Sequence, residues 1–316
     1  MNTEYAKMIK KDVSWFAGMC MIYAVVSIVI VILYALFAIM LAVSENMDNA
    51  SKITETAIRI IGQRMGLVYL IAAPIGVLLF SIYRKGALFK SDIRHKGQKM
   101  TLPALGFFIL CLFLSQLVFY IVNSWLADYL TLLGIPIKDS MSSISGPTTW
   151  ELFIYVNLAA PISEELIFRG AGLRALEKYG KVFAILMSSL FFGFFHGNLN
   201  QIPFAIFIGL FLGYVALEYS IFWSIFLHIF NNLVIGDGLT YLYSHLTSQQ
   251  VNWIHPILLL LLAGPALFIL YKKRQQISNY LQANKVYPGT FGQAFRAPVF
   301  WIFIILEIIN ALIILS

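Results

Sequence analysis

Four side chains able to move protons or donate hydrogen bonds stand inside strongly apolar runs of this sequence: Glu164, His196, His228 and Asn232. Polar and ionisable groups are expensive in hydrocarbon surroundings, so their presence there points to function before packing. Each belongs to a spaced set. Glu164 opens Glu-Glu-x-x-x-Arg with Glu165 and Arg169, His196 closes Phe-x-x-x-His with Phe192, and His228 and Asn232 form His-x-x-x-Asn. A carboxylate in a low-dielectric pocket gains strength as a general base, and Glu164 suits that part. A histidine facing it, His196, can hold the same water and shuttle a proton. An imidazole and a neutral amide, His228 and Asn232, can donate to a developing oxyanion. Together these groups suit the attack of water on a carbonyl, which is amide hydrolysis in apolar surroundings.

Helical spacing predicts how the groups stand. Glu165 and Arg169, four apart, share a face with acid before base, and read as a structural clamp. Glu164 points about 100° away and has no sequence-local partner. Phe192 and His196 share a face, as do His228 and Asn232, whereas Asn231 turns away and serves as a control. Pro161 removes a backbone hydrogen bond and is expected to kink its helix. Tyr179-Gly180-Lys181 reads as a turn between antiparallel helices, with Glu164 sixteen residues before Gly180 and His196 sixteen after it. Both then lie about 24 Å from the turn, and Asn232 lies about 18 Å along its helix from Ser220. Other amide-cleaving chemistries lack their residues: there is no His-Glu-x-x-His motif, and Ser163 has no glycine context. Asp237, alone between two glycines, reads as a turn residue, and Glu307 as a bundle-facing hydrogen-bonding residue or a snorkelling one.

The elements that must hold this set are membrane helices. Of 316 residues, 60% are apolar and 12% charged, with a mean hydropathy of +0.81; soluble domains are about a quarter charged. That composition excludes an ordinary soluble enzyme, a disordered chain and a disulfide scaffold, and predicts an all-α, polytopic membrane helix bundle. Apolar runs give eight to nine spans, near 14–43, 67–83, 102–125, 149–170, 181–198, 203–218, 220–236, 255–271 and 297–315. The first is too long for a signal-peptide core and reads as a retained span. With the N-terminus in the cytoplasm, the inner segments hold three Lys+Arg in the tail, six in 84–100, four in 169–181 and five in 272–296, out of 22 in all. This is the positive-inside pattern, and it accounts for the net charge of +7 without a nucleic-acid partner. Residues 51–66 read either as an amphipathic interfacial helix or as a solvated loop. Cys20 and Cys111 fall in apolar runs and read as small hydrophobes. Short connections and the lack of a repeat point to one membrane domain over 1–316.

The three motifs, on separate spans and in this order, resemble the CAAX protease and bacteriocin-processing (CPBP, or Abi) family, which includes the type II CAAX prenyl endopeptidases. The resemblance covers about 149–236, with flanking spans 14–125 and 255–315 outside it. It implies an intramembrane endopeptidase of a bacterial cell membrane acting on a membrane-associated peptide or protein. It also implies that Glu164 and His196 activate water, that His228 and Asn232 form the oxyanion site, and that Glu165, Arg169 and Phe192 give structural support. No cofactor is required on this reading; a zinc ion, were one used, would take Glu164, His196 and His228. The competing classes are a catalytically silent scaffold or immunity protein, for which an unpaired Glu164 has no use, and a proton-coupled transporter, which the lack of a repeat disfavours.

Overall fold

A computed structural model describes residues 3–45, 49–132 and 149–315. Among these residues the fold is all-α, a polytopic bundle without strands. Helix α1 (Thr3–Glu45) packs along α2 (Ala50–Tyr83), and α3 (Leu102–Leu132) is the third long rod. A composite helix, α4, runs through 150–179 and turns at Gly180 into α5 (Lys181–Phe195). Then follow α6 (Gln201–Glu218), α7 (Ile221–Tyr243), α8 (Ser248–Lys272), the short α9 (Arg274–Ala283) and α10 (Pro298–Leu315). Helix α5 packs against α6, α8 against α3, and α10 against α1.

Among the described residues, six helices (α1, α2, α3, α6, α7 and α8) are long and apolar enough to cross a membrane, which makes the chain multi-pass. The other three runs are helical but depart from a simple span. Helix α5 has 15 residues, about 22 Å at 1.5 Å per residue, less than the roughly 30 Å of a hydrocarbon core. Helix α10 has 18 residues, about 27 Å, and α4 is interrupted by π-helical turns at Tyr155–Ala159 and Glu165–Leu173. The helices that carry the first two motifs are therefore short or irregular.

Local chemistry explains the boundaries. Asn49 and Thr149 cap α2 and α4 by accepting the amides of Lys52 and Leu152, and Thr247 with Gln250 forms a capping box on α8, each satisfying amides without intrahelical partners. Gly180 takes φ 119° at the α4–α5 turn, and Gly197 takes φ 53° just after His196. The left-handed conformation at Gly197 ends the helix as a C-terminal glycine does. Residues 51–66 are neither a separate interfacial helix nor a loop, because they continue into α2 as its first half. Cys20 and Cys111 are free and buried, as read from the sequence.

Contact between α2 and α4 depends on a missing side chain. A Cβ on Gly66 would lie 2.2 Å from the Leu152 backbone nitrogen and 2.6 Å from the Glu151 carbonyl carbon, whereas one on Gly18 would meet nothing within 4 Å. Gly66→Ala therefore forces the start of α4 away from α2 and should cost about 1–3 kcal/mol by overpacking. Thermal unfolding in detergent should show a lowered Tm for Gly66→Ala and none for Gly18→Ala, which keeps a helical site with open space around it.

Candidate active site

The first motif begins where α4 changes hydrogen-bond register. Glu164 ends the α-helical turn Ala160–Glu164, and Glu165 opens the π-helical segment Glu165–Leu173. Glu165 is fully buried at 0% exposure. Its Oε1 lies 3.0 Å from Arg169 Nη1 and 3.0 Å from His228 Nδ1, and its Oε2 accepts from the Ser224 hydroxyl. A buried carboxylate is tolerable only when paired and hydrogen-bonded, and these three partners meet that need. The clamp with Arg169 predicted from spacing is present. However, Glu165 is more than that clamp, since it also holds the imidazole of the third motif. Ser224, four residues before His228, is a site residue the sequence reading missed; its signal was a polar residue one turn before the motif histidine in an apolar run.

Arg169 is held on two further sides. Its guanidinium carbon lies 4.1 Å from the Phe192 ring centroid, and Nη2 is 3.4 Å from the Gly209 carbonyl. A Cβ on Gly209 would approach Nη2 to 3.2 Å, so glycine leaves the guanidinium its room on α6. Phe192 also meets His196 edge-on at 4.8 Å and His228 at 5.7 Å between centroids. One buried ring thus touches a member of each motif.

The imidazoles are oriented by acceptors. His196 Nδ1 is 2.8 Å from the Phe192 carbonyl, one of the carbonyls left without an intrahelical partner where α5 ends. A carbonyl only accepts, so Nδ1 carries the proton and Nε2 keeps its lone pair. His228 Nδ1 likewise faces the acceptor-only carboxylate of Glu165, and its Nε2 stands 3.7 Å from Glu164 Oε2. With its proton on Nδ1, a neutral His228 offers Nε2 as an acceptor, and donation from Nε2 needs a proton on both ring nitrogens. Glu164 keeps 23% of its side chain exposed, in contrast to Glu165. It lies within electrostatic reach of His196, Tyr23 and Tyr155.

Asn232 stands differently from the helical-wheel expectation. Helix α7 changes from α to π at Phe230, so the His228–Asn232 spacing is not a plain α-helical turn. Asn232 Nδ2 donates to the Val156 carbonyl at 2.9 Å, and its Oδ1 accepts from Asn231 at 3.1 Å. Asn231 is buried and also accepts from Gln116 on α3. It is coupled to Asn232 and cannot serve as an independent control. Pro161 is part of the cause. In the π register of residues 155–159, the amide of residue 161 would bond the Val156 carbonyl; proline has none, and Asn232 takes its place. Asp237, expected in a turn, is instead inside the π-helical segment and accepts from Asn157. Glu307 is buried beside Asn310 and against Gly197, as a bundle-facing hydrogen-bonding residue.

Both histidines present Nε2 with Nδ1 bound, a tautomer that zinc ligation would also use. Among the described residues, however, no three His, Cys, Asp or Glu side chains gather closely enough to hold a metal ion.

The Glu165–Arg169 pair yields a stability test. Arg169→Ala leaves a fully buried carboxylate with only Ser224 and His228 as partners and should cost roughly 3–5 kcal/mol. The Tm in detergent should fall clearly, and Arg169→Lys should recover only part of it, since a point charge cannot both pair with Glu165 and lie flat over Phe192. An unchanged Tm would contradict the burial argument.

Residues 146–234 match the family described as Type II CAAX prenyl endopeptidase Rce1-like. Comparison with the curated proteins and with the solved structures gave no match. The matched segment contains Glu164, Glu165, Arg169, Phe192, His196, His228 and Asn232, and excludes α1–α3 and α8–α10. The three motifs converging on Phe192 and Glu165 thus lie in the segment that matches the Rce1-like protease family, within a multi-pass integral membrane chain.

Proposed function

We propose that the chain is an intramembrane endopeptidase that hydrolyses a peptide bond of a membrane-associated peptide or protein, of CAAX or bacteriocin and signalling-peptide type. The observation that carries this reading is the contrast between two adjacent glutamates. Glu165 is buried and fully occupied, while Glu164 stays partly exposed and faces His228 Nε2. A carboxylate kept open beside two oriented imidazoles is suited to water activation.

In this mechanism water lies between Glu164 and His196 Nε2. Glu164 takes a proton from it, and the oxygen attacks the substrate carbonyl carbon. The resulting oxyanion is met by the free N–H of the Asn232 amide and by the imidazole of His228, which Glu165 holds through Nδ1. Collapse breaks the C–N bond, and the proton held at Glu164 passes to the leaving amine. Water activation comes from these side chains, and no step runs through a metal. The catalytic core spans about 149–236 within one membrane domain over 1–316, and the flanking helices meet lipid and substrate. The Lys/Arg asymmetry supports a cytoplasmic N-terminus.

The test is peptide release from liposomes that contain the purified protein, read by mass spectrometry. Glu164→Gln should insert and purify normally yet lose activity by at least about 10²–10⁴-fold, the usual worth of a positioned acid–base group, and a chelator should leave the wild-type rate unchanged. Near-normal cleavage by the variant would remove Glu164 from its role. Asn232→Ala should lower kcat by about 10²–10³-fold with KM little changed, because an oxyanion donor acts on the transition state. A rise in KM alone would make Asn232 a binding residue.

A further inference from the structure

Two π-helical segments meet beside the site, Tyr155–Ala159 on α4 and Phe230–Asp237 on α7, and their contact has two rungs. In one, Asn232 Nδ2 donates to the Val156 carbonyl at 2.9 Å; in the next, Asn157 Nδ2 donates to Asp237 Oδ2 at 2.6 Å. Val156 and Asn157 are successive residues, and Asn232 and Asp237 are five apart. Five is the hydrogen-bonding step of a π-helix, so both rungs lie along one line of contact.

The second rung is a poor way to gain stability. Asn157 is 0% exposed, its other amide hydrogen goes to the Phe153 carbonyl at 3.2 Å, and its Oδ1 has no partner among the described residues. A buried acceptor without a donor costs stability that an apolar pair would not. Asp237 forms no ion pair among the described residues, so its carboxylate is held by this amide. Local rules broken in this way concentrate at functional positions.

We propose that Asn157 and Asp237 are positioning residues for Asn232. The reading rests on the oxyanion role proposed above. A π-helix is a rare register, and α7 without the Asp237 rung relaxes toward α geometry, which rotates Asn232 away from Val156. With the rung in place, one Asn232 amide hydrogen is fixed on Val156 and the other is left to donate in a set direction.

The experiment compares kcat and KM for wild type, D237A, N232A, the D237A/N232A double variant and the reversed pair N157D/D237N. Expected is a fall in kcat of about 10²-fold for D237A, the effect of a displacement near 1 Å, with KM little changed. D237A should add no further loss in the N232A background, since the two act as one unit, and the reversed pair should recover most of the rate. A full additional loss in the N232A background, or no recovery in the reversed pair, overturns the proposal. If D237A does not fold, the isosteric D237N should show a smaller loss of the same kind. The side-chain amide resonance of Asn232 in ¹⁵N-labelled protein reads its position without turnover. It should move in D237A and return in the reversed pair, and an unmoved resonance overturns the positioning role. An inactive wild type with a moving resonance would sink the protease reading alone.

Discussion

The rest of the site depends on the fully buried carboxylate of Glu165. In hydrocarbon a charge without partners is prohibitive, and Glu165 draws its partners from two helices. Arg169 comes from its own helix, four residues on, while Ser224 and His228 come from α7. Satisfying one charge therefore joins the first and third motifs. Phe192 brings in the second by offering its face to Arg169 and meeting both imidazoles edge-on. Electrostatics fixes which helices meet, and one aromatic ring sets their spacing.

Irregular helix geometry then does what a regular helix cannot. Three π-helical segments, 155–159, 165–173 and 230–237, carry or adjoin the motif residues on α4 and α7. Such segments are uncommon and gather at functional sites, because a wider turn frees backbone carbonyls and re-aims side chains. Within a membrane a freed carbonyl must find a donor, and at Val156 that donor is the Asn232 amide. The irregular backbone and the polar side chains thus satisfy each other.

Helices outside the matched segment shape the site as well. Tyr23 of α1 stacks on Phe195, one residue before His196, at 5.4 Å between centroids. Gly76 of α2 leaves the space for its ring, since a Cβ there would come within 2.4 Å of it. Phe16 of α1 fits over Gly172 in the same way and packs on Phe168 and Phe191. Helix α10 closes the far side, where Asn310 and Glu307 abut Gly197. The first and last helices therefore brace the backbone on either side of His196.

The sequence by itself determined the class of the protein and most of its chemistry. Composition dictated a membrane bundle, because so few charges cannot wet a surface. The three motifs named the groups at the site, because polar side chains are too costly in hydrocarbon to be there idly. Local spacing gave the Glu165–Arg169 pair, since two residues four apart on one helix meet whatever else the chain does. The tertiary structure decided everything that depends on a second helix or on departure from the α register. That Glu165 holds His228 and that Asn157 reaches Asp237 both follow from contacts between residues far apart in sequence. The helical wheel did not give the contacts of Asn231 and Asn232 because it assumes a constant turn, and the turn widens at Phe230; Asp237, read as a turn residue from its flanking glycines, lies in the same widened segment.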